Sequence, residues 1–259
     1  MMIKKLFRTT VIIVTVAIIG GSFILESRMS IGKPDDQKKG LVTYADGRVK
    51  KRAGKSADWI NAEINSAVNS GDRLRTYQRS RAELELIDLD VIRMAPETTI
   101  DIIKLYEETK GKLKETKIDI QEGDIWANLE KKDSSVKFDI TTPVAGAAIT
   151  GTVFRMNVKQ DSTTELKVYN GEVKVTNAPE KLQPDSQKTF QKPHEVPGPQ
   201  EVPGPKEVSL DEWVYIVKNM QKIVIDNSGS VLSYGDFNAT DPDEQTEWVQ
   251  WNLRRDKAE

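Results

Sequence analysis

The sequence predicts an all-β fold, a compact solenoid- or sandwich-like β domain, with an N-terminal membrane helix and short C-terminal helices. Short runs rich in Val, Ile, Leu and Thr recur between turn residues over positions 40–177, which is typical of many short strands. Apolar and acidic residues alternate over positions 82–86, the pattern of a strand with one buried face. An uncharged, mostly apolar run from Thr9 to Leu25 predicts the membrane helix.

The composition of the chain excludes several classes of function. The 259 residues carry a formal net charge of only −2, so no global field favours a nucleic acid as partner. The chain has no cysteine, which excludes disulfides, thiolate nucleophiles and thiolate metal sites. His194 is the only histidine and lies in a Pro/Gly-rich stretch, so neither a catalytic triad nor a multi-histidine metal site is expected. We therefore predict a protein that is not an enzyme and requires no cofactor.

The N-terminal segment predicts attachment to the inner (cytoplasmic) membrane. Lys4, Lys5 and Arg8 precede the apolar run 9–25, which as a helix would span about 25 Å. The basic flank places the N-terminus inside and the bulk of this single-pass chain in the periplasm or another extracytoplasmic space. A cleavable signal peptide is the alternative, with the small residues 20–22 as its cleavage region. The apolar run continues beyond them to Leu25, which favours an uncleaved anchor.

The chain divides into five predicted segments. They are a cytoplasmic tip with the transmembrane anchor (1–26), a tether (27–39), a β domain (40–177), a Pro/Gly-rich linker (178–208) and a C-terminal helix–strand–helix wrap (209–259). The turn dipeptides Asp46-Gly47 and Asn170-Gly171 predict hairpins inside the β domain. The candidate strands of that domain begin near positions 41, 49, 59, 73, 82, 91, 100, 118, 125, 136, 153, 164 and 173.

Proline and tryptophan distinguish the last third of the chain. Two six-residue repeats, 195–200 and 201–206, predict an extended linker, with a ligand for a proline-binding partner or a cell-wall spacer as the alternative. A capping-box pattern at 209–212 predicts a helix to about Gln221, with Trp213 on its apolar face, and a strand over 223–225 follows. A last helix over 246–255 carries Trp248 and Trp251, and we expect its apolar face to dock on its own domain.

Seven motifs follow one another between residues 40 and 176. They are Gly47-x-Val49, Trp59, Gly71-Asp72-Arg73-Leu74-Arg75-Thr76, Gly123-x-Ile125-Trp126, Phe138-x-Ile140-x-Thr142-Pro143, Gly151-Thr152-x-Phe154 and Leu166-x-Val168-x-x-Gly171-x-Val173. In this order they resemble the FecR domain, the exported sensor module of iron-citrate-type signalling proteins. The sequence departs from the family pattern at Thr150, where arginine usually precedes Gly-Thr. Only about eight residues precede the membrane segment, too few for the cytoplasmic sigma-factor-binding domain of the transmembrane members.

The resemblance implies a non-catalytic binding, sensor or scaffold module of the bacterial cell envelope, with an envelope protein as its partner. A cell-wall or surface polysaccharide is the alternative partner, bound through exposed tryptophans and a row of arginines. That row, Arg73, Arg75, Arg79 and Arg81, is the predicted ligand or partner surface, with a solvated edge that blocks strand pairing as the alternative that such a row more often represents. The residues of the family motif are predicted to be structural: Gly71, Asp72, Thr76, Trp126, Thr142, Pro143, Gly151, Thr152, Phe154 and Gly171.

Overall fold

A computed structural model describes residues 40–86, 90–107, 114–129, 136–177 and 213–258 of the chain. These residues form seventeen strands, a 3-10 helix and one α-helix. The predicted membrane segment 9–25, tether 27–39 and linker 178–208 lie outside the described residues. Within the described ranges, no helix is both long and apolar enough to cross a bilayer.

The chain crosses several times between two sheets, often after two consecutive strands in the same sheet. In chain order they are β1 (Gly40–Asp46), β2 (Val49–Arg52), β3 (Ile60–Asn61), β4 (Ala67–Val68), β5 (Arg73–Thr76), β6 (Arg81–Glu85), β7 (Val91–Met94), β8 (Thr99–Glu107), β9 (Lys114–Asn128), β10 (Val136–Thr141), β11 (Gly146–Ile149), β12 (Val153–Val158), β13 (Thr164–Asn170), β14 (Glu172–Thr176), β15 (Val214–Lys218), β16 (Gln221–Ile225) and β17 (Val231–Asp236). The 3-10 helix Pro242–Gln245 and helix α1 (Glu247–Asp256) follow.

The two sheets pack face to face as a sandwich. Sheet A has the strand order β4-β1-β6-β7-β9-β12-β13-β16-β17, and every pair of neighbouring strands in it is antiparallel. Sheet B has the order β3-β2-β5-β8-β9-β10-β11-β14-β15, in which only β9 and β10 are parallel. One continuous apolar core lies between them, because most strands turn alternate side chains inward. The predicted all-β class is confirmed.

The longest strand, β9, passes from one sheet into the other. Up to Glu122 it pairs with β8 in sheet B, and from Gly123 onward it pairs with β12 in sheet A. Gly123 has a φ of +102°, and a Cβ atom there would lie 2.4 Å from the Cα of Thr98. The sequence predicts two strands, at 118–120 and 125–129, where the structure has one. That prediction is wrong because glycine permits a sharp bend without ending the strand.

The predicted helix from the capping box to Gln221 is also wrong in its described part. Residues 214–218 form β15, which pairs with β14 and turns through Met220, at a φ of +59°, into β16. Apolar residues at helical spacing made Trp213 to Met220 resemble a helix. The run is also rich in β-branched and aromatic residues, and the free edge of β14 supplies backbone partners that favour a strand. Strand β17, which the sequence analysis did not predict, completes sheet A.

The final helix is present where the sequence predicts it. Thr246 caps α1 by accepting a hydrogen bond from the backbone nitrogen of Val249 at 3.5 Å. The buried residues Trp248 and Val249 pack with Trp126 of β9 on the outer face of sheet A. The expectation that this helix docks on its own domain is therefore confirmed.

Candidate functional site: a charged groove and a covered sheet face

A groove of about 1010 Å³ opens at one end of the sandwich. Five connections form its walls: the β1–β2 turn, the β5–β6 loop, the β7–β8 loop, the bend in β9 and the β12–β13 loop. These connections are far apart in sequence, and they meet because their strands lie close together in the two sheets. The groove brings charged side chains from several loops to one concave surface.

Left-handed backbone positions shape this groove. Gly47 and Gly123 have φ values of +72° and +102°, and the non-glycine residues Arg79 and Glu97 have values of +52° and +58°. Arg79 and Glu97 lie in adjacent loops, because the backbone nitrogen of Glu97 donates to the carbonyl of Tyr77 at 3.4 Å. A non-glycine residue in this conformation costs about 1–3 kcal/mol, and such strain is often concentrated at functional sites.

The groove contains both paired and unpaired charges. Arg48 lies over the ring of Tyr77, 3.6 Å from its centroid, and Arg75 lies 3.8 Å from a carboxylate oxygen of Glu122. Arg79 and Lys159 are exposed and form no ion pair within the described residues. Arg79 and Lys159 are therefore available to bind a ligand.

The four arginines of the predicted row do not form one surface. Arg73 of β5 donates two hydrogen bonds of 2.5 Å to Asp101 on the outer face of sheet B, and these bonds raise the pKa of Arg73. Arg81 of β6 is bonded to Glu247 of α1 beside sheet A. Arg75 and Arg79 line the groove. Arg81 is separated from Arg73 and Arg75 because β5 and β6 belong to different sheets, which the sequence pattern alone cannot indicate.

The motif residues before β9 stabilise turns and loops. Gly71 has a φ of +87° in the turn before β5, and the neighbouring Asp72 carboxylate accepts from the backbone nitrogen of Asn69 at 2.9 Å. The buried hydroxyl of Thr76 donates to the carbonyl of Ala95 at 2.5 Å and accepts from the nitrogen of Thr98 at 3.0 Å. These contacts connect the β5–β6 loop to the β7–β8 loop behind the groove.

The later motif residues also lie at turns or in the core. Thr142 accepts from the nitrogen of Ala145 at 3.1 Å, which closes the β10–β11 turn that contains Pro143. The Thr152 hydroxyl donates to the carbonyl of Glu172 at 3.1 Å, and Phe154 is fully buried between the sheets. The two glycines have positive φ values, Gly151 of +62° and Gly171 of +91°. Trp126 is fully buried, but it lies beneath α1 and not between the sheets.

Sequence reasoning missed Arg48, Tyr77 and Lys159 as groove residues. Each lies in a connection that looks like an ordinary polar turn. From sequence alone, these loops are known only to join strands of the same domain. The strand order in the two sheets is needed to show that they meet at one end of the domain.

The outer face of sheet A carries one row of side chains at matching register. Strand pairing aligns these residues across seven strands. They are Tyr44, Glu83, Arg93, Trp126, Arg155, Lys167 and Lys222. Residues 237–258, which we call the C-terminal cover, lie over this row, and Arg93 and Lys167 have almost no exposed surface as a result.

Asp256, the last residue of α1, connects the cover to Arg93 and Trp126 of the row and to the neighbouring Asn128. Its carboxylate is hydrogen-bonded to the guanidinium of Arg93, accepts from Trp126 Nε1 at 2.8 Å and accepts from Asn128 Nδ2 at 3.3 Å. Arg93 also donates to Glu83 at 2.7 Å. The buried arginine is thereby bonded to one carboxylate of the sheet and one of the cover, as a buried cation requires.

Glu244, in the 3-10 helix, makes the second polar connection between the cover and sheet A. It is buried, accepts from Lys167 Nζ at 2.9 Å and accepts from Tyr169 Oη at 2.7 Å. Burial lowers the pKa of Lys167, but the hydrogen bond to Glu244 and the negative charges of Glu165, Glu244 and Asp243 together outweigh burial and leave the pKa raised. The Tyr169 ring lies 4.4 Å from the ring of Trp126 and 5.3 Å from that of Phe237, so aromatic packing surrounds this pair.

We predict that acid weakens the cover through Glu83. Burial would raise the pKa of Glu83, but hydrogen bonds from Arg255, Arg93 and Thr43 outweigh it and hold the pKa below its ordinary value. The stability contributed by this carboxylate is therefore present above the ordinary value of about pH 4.3 and is lost as the pH falls through the lowered one. The free energy of unfolding, measured by urea titration from about pH 6 to about pH 3, should fall more steeply in the wild type than in Glu83→Gln. Parallel curves would show that Glu83 is not responsible.

Comparison with known proteins supports the resemblance seen in the sequence. The family model described as FecR protein matches residues 72–174. Two crystal structures of a candidate anti-sigma factor from Parabacteroides distasonis ATCC 8503 are similar, each with 15% sequence identity and a TM-score of 0.42. The alignment covers 64% of this chain and 60% of that protein, so the chain spans less than two thirds of its length. No curated protein matches the chain. The FecR resemblance is confirmed for residues 72–174.

Proposed function

We propose that this protein is an exported, membrane-anchored FecR-domain protein that acts as a non-catalytic binding, sensor or scaffold module in the bacterial cell envelope. The FecR match supports a regulatory role. The apolar run 9–25 with its basic flank supports the anchor and the export of the domain. Within the described residues no three His, Asp or Glu side chains converge to hold a metal ion.

The observation that carries the proposal is the pair of unpaired cations in the groove. Arg79 and Lys159 come from loops of different strand pairs, and both face the same concave surface. Glu97 and Asp161 line that surface too, so the groove presents both signs of charge. A folded protein with charges of both signs complements such a groove better than a uniform polyanion does.

The aromatic side chains also favour a protein partner over a polysaccharide. Sugar-binding sites of the kind considered above need an exposed aromatic face. Trp126 is fully buried, Arg48 covers one face of Tyr77, and Trp59 is half-buried with Arg52 lying 5.4 Å from its ring centroid. None of these rings offers an open platform at the groove.

We predict that reversing the two groove charges abolishes partner capture. The experiment is crosslinking in intact cells with the tagged full-length chain, followed by mass spectrometry of the material purified from membranes. The wild type should enrich one or a few envelope proteins. In Arg79→Glu/Lys159→Glu their yield should fall about tenfold or more, because like charges placed opposite one another cost several kcal/mol.

The matched control is Lys174→Glu/Lys218→Glu, which reverses two exposed charges on β14 and β15, away from the groove. Capture should remain at the wild-type level in this variant. If both double variants lose the partner equally, the groove is not the contact surface. If the wild type enriches only cell-wall or capsule polymer, the polysaccharide-binding alternative replaces the protein-binding proposal.

A further inference from the structure

The outer face of sheet A and the C-terminal cover are chemically complementary. The sheet supplies the buried bases Arg93 and Lys167, and the cover supplies the acids Asp256 and Glu244 that neutralise them. A base on a sheet surface without such a partner would remain hydrated. The face is thus suited to an occupant that brings carboxylates together with large aromatic side chains.

The face and its occupant come from different parts of the chain. Glu83, Arg93, Trp126, Arg155 and Lys167 all lie within residues 72–174, the stretch that matches the FecR family model. The cover begins at residue 237, beyond that stretch and beyond three further strands. The cover therefore behaves as an intramolecular ligand placed on a face of the FecR domain.

Three features of the cover favour its release without unfolding of the sandwich. Helix α1 has ten residues, too few for a stable helix in isolation, so docking and helix formation are coupled. Its polar contacts with sheet A are mostly hydrogen-bonded charges, each of which regains water when the cover leaves. The side-chain oxygen of Asn252 is buried with no hydrogen-bond partner in the described structure, and release would hydrate it.

We propose that the outer face of sheet A is a second partner-binding surface, which the C-terminal cover masks. A partner displaces the cover by presenting an amphipathic helix whose carboxylates take the positions of Asp256 and Glu244. This goes beyond the groove function, since it uses a different face of the domain and adds a masked state to it. Binding at this face is then controlled by how often the cover is released.

The first test measures local release by thiol labelling of the full-length chain, which has no cysteine of its own. Ala95→Cys places a thiol on the covered face beside Trp126 and Trp248, and Ala127→Cys places one between the sheets on the same region of β9. The thiol at position 95 should react at least about tenfold faster, because it needs only local opening. Equal rates would overturn the proposal, since the cover would then open only with the whole fold. Ala147→Cys, in the core beside sheet B, replaces the core probe if Ala127→Cys does not fold.

The second test measures whether the uncovered face accepts an acidic helix. The probe is a fluorescent synthetic peptide of residues 237–258, and the protein is the full-length chain with Trp248→Ala, which loosens its own cover. Fluorescence anisotropy should give a Kd at least about tenfold lower for this variant than for the wild type. A peptide with Glu244→Gln and Asp256→Asn should bind at least about tenfold more weakly. Equal binding by the two peptides would overturn the charge basis of the proposal, and no binding by either would overturn the proposal itself.

Discussion

Replacing Gly123 with alanine is expected to destabilise the β domain by several kcal/mol. The residue has a φ of +102°, which an L side chain rarely adopts, and its Cβ would lie 2.4 Å from the Cα of Thr98. Thr98 and Asp124 hold each other in place, because the Thr98 hydroxyl accepts a hydrogen bond from the backbone nitrogen of Asp124 at 3.0 Å. Backbone strain of about 1–3 kcal/mol and overpacking of about 1–3 kcal/mol act at the same point. We expect a loss of about 3–5 kcal/mol in the free energy of unfolding, measured by urea denaturation.

Gly235→Ala is the matched control for this prediction. Gly235 also lies in a strand of sheet A, but an added Cβ would have no atom within 4 Å. Its substitution should change the free energy of unfolding by less than about 1 kcal/mol, in either direction. If Gly123→Ala proves as mild as Gly235→Ala, the bend in β9 does not depend on glycine. The groove would then owe its shape to the surrounding loops alone.

The β domain could be predicted from sequence to the extent that its signals were local. Alternation over 82–86, the turn at Asp46-Gly47 and the turn at Asn170-Gly171 each specify a strand or hairpin within a few residues. The predictions failed where pairing partners decided the structure. Residues 214–218 suit a helix by spacing, but they complete sheet B beside β14. The bend at Gly123 joins two predicted strands because neighbours in both sheets hold it.

The candidate sites were less predictable than the fold. The arginine pattern included Arg75 and Arg79, which line the groove, yet it could not separate them from Arg73 and Arg81, whose partners Asp101 and Glu247 are distant in sequence. The row beneath the cover depends on the register of seven strands. The only part of the sequence that predicted a covered face was the last helix, whose tryptophans indicated that it docks on its own domain.

Replacing Glu244 with glutamine is expected to have the second large effect, because it leaves a buried cation without its nearest anion. Lys167 Nζ lies 2.9 Å from Glu244, and the side chains of both residues are 2% exposed. The two other carboxylates near Lys167 are farther away, Asp243 at 3.5 Å and Glu165 at 3.8 Å. Breaking a buried pair by removing one charge costs about 3–5 kcal/mol, and the remaining carboxylates should reduce this to about 2–3 kcal/mol.

Asp243→Asn is the control for Glu244→Gln, since it removes the adjacent acid of the same short helix, whose side chain is 69% exposed. An exposed pair of this kind contributes at most about 1 kcal/mol, so the free energy of unfolding should barely change. The two variants also separate local from global effects when each is combined with Ala95→Cys. If Glu244 mainly holds the cover, Glu244→Gln accelerates labelling at position 95 far more than labelling at position 127. Equal acceleration at both positions would mean that Glu244 stabilises the sandwich as a whole, and the cover would then be an integral layer of the fold.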